Sequence, residues 1–315
     1  MKKIKVALCL IVVALIIFVL VMTLNNWNFK NFSNKEYITN TYEITENFYY
    51  ISINVRTADI EILPSTDGKC KIEAYEEIDR THKIEVANQA LLITPPDKRV
   101  NLSIFNFDSP EIKIYLPNQE YETLNIDATT GDVVIDKAFS FNSINAEVTT
   151  GNVENYASCK ENVNIKTTTG DIVLENAYAI NVDLAVTTGD VTVKKLTCFG
   201  DVNVDLGTGE AELTNIICKN LTVKGTTNDT VLNNVIASEK FDLKRTTGDV
   251  ILNNCDASEI YIKVTTGDVT GNLLSDKTFD VHTTTGNRKV PQTTGGLCKI
   301  DATTGDITIT VSQSE

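Results

Sequence analysis

A Thr-Thr-Gly-Asp tetrad or a close variant recurs ten times between Thr129 and Asp306, and successive copies stand only 19 or 20 residues apart. A unit that short cannot enclose a core of its own. Each copy must therefore be one coil of a stack in which neighbours bury one another's apolar faces. The third tetrad position holds Gly131, Gly151, Gly170, Gly189, Gly209, Asn228, Gly248, Gly267, Gly286 and Gly305. Glycine and asparagine reach positive φ most readily, so the column predicts a left-handed structural corner once per coil. A phosphate-cradling loop also uses glycine, but as a single site opening a helix and not as ten copies between strands.

The residues before the corner predict the core. Five positions earlier every copy is apolar, from Ile126 to Ile300, and seven positions earlier the same holds from Leu124 to Cys298. Two positions after it the column is mostly aliphatic, from Val133 to Ile307, with Thr230 and Arg288 among its members. Alternation at period two in β-branched residues is a strand pattern, and helical periodicity is absent. The expected fold is all-β: a parallel β-solenoid (β-helix) of about ten coils, each made of two short strands around a corner and stacked at about 4.8 Å per rung.

Four segments follow from composition: 1–24, 25–36, 37–120 and 121–315. The first is a cytoplasmic tip, Met1-Lys2-Lys3-Ile4-Lys5, running into an uncharged stretch from Val6 to Leu24 that is long enough for a transmembrane helix. The lysines ahead of it place the N-terminus inside and the rest of the chain outside, as a single-pass signal anchor of the cell membrane. Residues 25–36 form a juxtamembrane spacer. Residues 37–120 form a β-rich cap, read as sandwich-like, in which Ile51 to Ile62 match the coil template with Ala58 in the glycine position. Strands are expected at Lys69–Tyr75, Ile84–Val86, Leu91–Ile93, Leu102–Phe107 and Ile112–Leu116. Residues 121–315 are the repeat domain. Its last rung, Ile307 to Val311, has only a polar tail behind it, which makes that end a natural docking place.

A net charge of −14 argues against nucleic-acid binding and against adsorption to an anionic membrane. Seven cysteines in an exterior chain suggest disulfides, yet Cys255 and Cys298 fall in apolar columns. Cys198 and Cys218 share a column one rung apart, so a bridge between them is an open alternative.

The fourth tetrad position carries Asp132, Asn152, Asp171, Asp190, Glu210, Asp229, Asp249, Asp268, Asn287 and Asp306. One reading is a calcium column on the seven aspartates, although calcium wants six to eight oxygens. The other is that each side chain accepts backbone N–H groups in an Asx turn at its own corner, which the two asparagines favour. Of the two threonine ladders, the one from Thr130 to Thr304 is expected to face inward. The one from Thr129 to Thr303 faces outward, broken at Gly207. Arg245 stands in an inward column, and Gly225 one rung away leaves room for it to lie across and snorkel out. His82 and His282 lack metal-ligand spacing, and no loop insertions build a cleft, so the chain reads as non-catalytic, with no cofactor.

The apolar N-terminal segment, Thr57-Ala58-Asp59 within Ile51 to Ile62, the strand Ile112 to Pro117 and the recurring tetrads together resemble the bacterial putative adhesin family. That is a domain of unknown function built from β-strand repeats, and the likeness covers about residues 45–311. The resemblance implies a β-solenoid at the cell envelope and supplies no catalytic residues. It implies a surface adhesin or scaffold whose partners are a cell-wall polymer, a glycan or a surface protein. Envelope-stress sensing through a membrane partner is the alternative.

Overall fold

The computed structural model describes Thr23, residues 36–96 and residues 109–312 of the chain. The expected anchor at Val6–Leu24 and the expected strand at Leu102–Phe107 lie outside the described residues, Thr23 excepted. Among the described residues no helix is long and apolar enough to cross a membrane.

The fold is an all-β parallel β-solenoid, and its ten tetrad corners bound about nine full turns. Each coil enters through a strand such as Asn181–Thr188 and turns at the glycine, then leaves through one such as Val191–Cys198. Equivalent strands pair in parallel and in register: Leu124, Ile144, Val163 and Val182 are consecutive Cα partners, all fully buried. The apolar columns thereby fuse into one continuous core.

A coil has three faces, not two strands around one corner. A third, short ladder runs through Thr197↔Ile217↔Ile236, with Cys198, Cys218 and Ala237 pointing inward. It is set off by a second positive-φ corner six residues after the first, at Asn176 (φ 59°), Lys195 (54°), Asn215 (57°), Asn234 (53°) and Asn254 (52°). Asparagine tolerates this conformation, and its amides add a ladder of their own, such as Asn234 Nδ2 to Asn215 Oδ1 at 3.1 Å. Cys198 and Cys218 stay separate thiols: Cys198 Sγ donates to the Ile180 carbonyl at 3.1 Å.

The cap is no separate sandwich, because it prolongs the solenoid's own ladders. Tyr50–Thr57 and Asp59–Pro64 pair with the first tetrad coil in register, so Ile51 to Ile62 form a true coil. Ala58 does not adopt positive φ, and the Pro110 carbonyl, just ahead of the strand Glu111–Leu116, takes the Asp59 N–H at 2.9 Å. Ala90–Thr94 and Glu111–Leu116 add in parallel beyond this coil, and antiparallel strands Lys83–Ala87, Cys70–Glu77 and Tyr37–Ile44 close the two edges. Phe48, Tyr121, Phe139 and Phe141 fill the interior here, with ring centroids 5.7–6.4 Å apart.

The far end departs from sequence order. Val250–Thr266 pairs with Gly296–Thr304, and Lys277–Thr285 lies beyond that, paired only with Gly296–Thr304. The last coil of the chain is thus inserted between the two coils that precede it. Ile307–Val311 is paired along its length with Val269–Leu273 and, at Ile307 and Thr308, with Arg288–Lys289 on the other side, and the rung left at the end is the Gly286 coil. Side chains agree with this order: Ile300, Ile307 and Ile309 are buried, whereas Val281 and Thr283 are only half-buried and Arg288 is exposed. Buried Lys277 pins the crossover, its Nζ 2.7 Å from Asp256 and 2.7 Å from the Ser275 hydroxyl. The expected docking place at Ile307–Val311 is therefore covered at Ile307 and Thr308, and charged, polar edge residues such as Arg288 and Lys289 blunt the true end.

Candidate functional site

The nine tetrad glycines adopt φ between 126° and 149°. Conformation is half of their role. A Cβ on Gly189 would stand 2.1 Å from the carbonyl oxygen of Gly170 on the preceding rung, so corner stacks on corner through bare backbone. The sequence reading supplied the dihedral reason and missed the contact.

The acidic column holds the same corner together, across rungs and not within one turn. Asp171 Oδ1 accepts the backbone N–H of Asp190 at 2.8 Å, and Asp190 Oδ1 accepts that of Glu210 at 2.7 Å. Asn152 does the same for Asp171, which explains why asparagine substitutes freely. At the end the bonds run from Asp306 N–H to Asp268 and from Asn287 N–H to Asp306, both 2.7 Å, following the inserted order. Asp132, Asp229 and Asp249 each accept a neighbour's N–H in this way. The ladder skips one step, since the longer side chain of Glu210 makes no such bond to Asp229. Among the described residues no group of three or more His, Cys, Asp or Glu is gathered as a metal site.

Both threonine ladders are exposed but for Thr227, so the inward placement of Thr130 and its equivalents is corrected at every other rung. Strand alternation ends at the corner: Val148 pairs with Ala128 and Thr150 with Thr130, and the tetrad threonines are exposed except Thr227, which is half-buried with its Oγ1 enclosed. The hydroxyl that reaches a corner carbonyl comes from one residue earlier, as in Thr167 Oγ1 to Gly151 O at 3.1 Å and Thr283 Oγ1 to Gly305 O at 3.0 Å.

Arg245 occupies that same column and acts likewise on a larger scale. It is 3% exposed and does not snorkel. Its Nε donates to Thr230 Oγ1 at 2.5 Å, and its terminal nitrogens donate to the carbonyls of Gly209 (3.3 Å), Thr227 (3.3 Å) and Asp229 (2.9 Å). The room does come from Gly225, where a Cβ would lie 1.7 Å from the guanidinium. Burial pulls the guanidinium pKa below its ordinary value, and the nearby charges of Asp229 and Glu210 oppose that shift.

Two further clusters escaped the sequence reading. In the cap, Glu76 is buried and accepts the His82 backbone N–H (2.6 Å), the His82 ring Nδ1 (2.8 Å) and the Asn40 amide (2.8 Å). Burial pushes its carboxyl up, but these bonds outweigh it and hold the group below its ordinary 4.5. His282, by contrast, lies exposed on the end rung. On the third face, Tyr178, Ile180, Phe199, Ile217 and Ile236 are all exposed, Phe199 by 72%. They occupy four successive rungs, a clustering that only the third ladder makes visible.

Glycine-cornered coils stacked in parallel around one core define a β-solenoid repeat protein. More narrowly, the chain belongs to the Toastrack DUF4097 family, whose model matches residues 48–203 and again 194–315. No curated protein matches it. Among solved structures it is similar to a putative adhesin from Parabacteroides distasonis ATCC 8503, with 12% identity and a TM-score of 0.49, covering 87% of this chain and 98% of that one. A putative adhesin from Parabacteroides merdae ATCC 43184 is similar at 12% identity and a TM-score of 0.49, covering 88% and 97% respectively. A putative lipid binding protein from Parabacteroides distasonis ATCC 8503 is similar at 16% identity and a TM-score of 0.45, covering 87% and 97%.

Proposed function

We propose that this chain is a non-catalytic binding module, a surface adhesin or scaffold carried outside the cell membrane on its N-terminal segment. The observation that carries the reading is the third-face cluster of Tyr178, Ile180, Phe199, Ile217 and Ile236. A chain of net charge −14 has no solubility reason to gather five large apolar side chains on adjacent rungs. Contiguous apolar surface on a hydrophilic protein marks a place where something docks. The side chains around it favour a protein partner, since Lys195 and Lys219 are already paired with Glu175 and Glu239 and leave the cluster a neutral rim.

The test is retention. Full-length chain is immobilised and offered isolated cell-envelope material, beside a Phe199→Ser, Ile217→Ser variant with the same melting temperature. The expected result is a surface protein or wall polymer held by the parent and lost from the variant. Recovery of a membrane sensor protein would favour the envelope-stress alternative, and recovery of nothing would refute the binding reading.

A further inference from the structure

On the first ladder, one outward column reads Asp127, Glu147, Lys166, Ala185, Asp205, Lys224 and Lys244 on consecutive rungs. Long charged side chains cover the sheet at every position but Ala185. One rung further, Gly207 removes a side chain from the neighbouring threonine column. Together the two gaps open adjoining depressions of about 390 and 420 Å³ that share Lys166, Ala185 and Asp205.

Four charged side chains of the walls are unspent. Glu147 borders Lys166 and Asp205 borders Lys224, yet none of the four makes an ion pair or hydrogen bond among the described residues. Asn164, which also lines the hollow, has a buried Oδ1 with no hydrogen-bond partner. Elsewhere on the same face such groups are engaged, as in Lys244 with Asp242 at 3.0 Å and Asn145 Nδ2 with Asn125 Oδ1 at 3.0 Å, and within the lining Asn203 Nδ2 is bonded to Asp183 Oδ1 at 2.9 Å. Unsatisfied buried polar atoms call for a partner.

We infer that this hollow is a subsite for a neutral, hydroxyl-rich polysaccharide lying along the rungs. The inference rests on the binding-module reading above. Each sugar hydroxyl both donates and accepts, so it can meet the lysine donors together with the aspartate and amide acceptors. An acidic polymer is disfavoured by the net charge of −14 and by the carboxylates of Asp183 and Asp205 in the lining. An extended peptide has no edge to join, because Asn181–Thr188 is already paired on both sides. No aromatic ring lines the hollow for a nucleobase to stack on.

The test is isothermal calorimetry of the full chain with cellohexaose, chitohexaose and mannohexaose, and with hexagalacturonate as the anionic probe. Ala185→Lys refills the gap with the residue that stands in this column at 166, 224 and 244, so it should fold normally. Lys263→Ala, further along the column, is the control. The expected result is binding of at least one neutral hexasaccharide, weakened about tenfold or more by Ala185→Lys, which is about 1.4 kcal/mol, and unchanged by Lys263→Ala. Neutral binding indifferent to Ala185→Lys would overturn the site, and binding of hexagalacturonate alone would overturn the ligand class. No saccharide binding, with envelope material still retained through Phe199, would overturn this inference and leave the binding module standing. Loss of both would sink the two together.

Discussion

Around the Asn228 corner the repeat departs from its columns four times, with Gly225 for an aliphatic residue, Asn228 for glycine, Thr230 for an aliphatic residue and Arg245 for a small or apolar one. Three of them, Gly225, Thr230 and Arg245, trace to one side chain. Arg245 fills the space that Gly225 vacates and bonds to Thr230. It also gathers carbonyls around a corner where Gly209 N–H to Thr227 O has stretched to 3.5 Å, against 2.9–3.0 Å at the seven other glycine corners that make this bond. Each exception was visible in the sequence as a break in its own column. Their union was not, because they lie on two rungs and only the inward direction of a long side chain joins them. Replacing Arg245 with valine should remove four hydrogen bonds, leaving the Gly209 carbonyl and the Thr230 hydroxyl without this donor while Thr227 O and Asp229 O keep a backbone N–H, and cost about 3 kcal/mol in urea unfolding. Adding Gly225→Val, Asn228→Gly and Thr230→Val should restore most of that loss by returning the rung to the repeat pattern. A single variant as stable as the parent would refute this account of the corner.

Among the elements, the cap depends on a buried acid. Strand Cys70–Glu77 is held to strand Tyr37–Ile44 partly through Glu76, whose carboxylate gathers Asn40, His82 and, at 3.4 Å, the Tyr42 hydroxyl. Because the folded state lowers this group from its ordinary 4.5, its contribution is complete above about that pH and disappears as pH falls through the lower folded value. Hydrogen exchange of Tyr37–Ile44 should therefore accelerate below about pH 4.5 before the solenoid strands respond. Glu76→Gln should make that early step independent of pH, and an unchanged acid step in the variant would contradict the assignment. The strands themselves were legible, since Lys69–Tyr75 and Ile112–Leu116 fall within one or two residues of Cys70–Glu77 and Glu111–Leu116. The Glu76–His82 pair was not, because six residues separate its members across a turn that no repeat predicts.

For the whole molecule, periodicity revealed what each coil buries but not which coil lies against which. Identical spacing fits the Gly286 coil equally well on either side of the Gly305 coil. The clue lay in the exceptions: Thr283 and Arg288 break aliphatic columns in the coil that ends the rod, while Ile300 and Ile307 keep them in the coil that ends the chain. The Thr-Thr-Gly-Asp repeat is consequently a structural corner, with glycine stacked on backbone and aspartate bonded to the next rung. The proposed binding surfaces lie where single rungs depart from it, at Ala185 and around Phe199. The central claim is one continuous parallel stack in which the last coil is inserted before its predecessor, and residue-resolved hydrogen exchange in native buffer tests it most directly. The account predicts that amides of Val281–Thr283 exchange before those of Ile300–Ala302, although they come earlier in the chain. Protection that instead falls steadily to the C-terminus, with Ile300–Ala302 exchanging first, would contradict it.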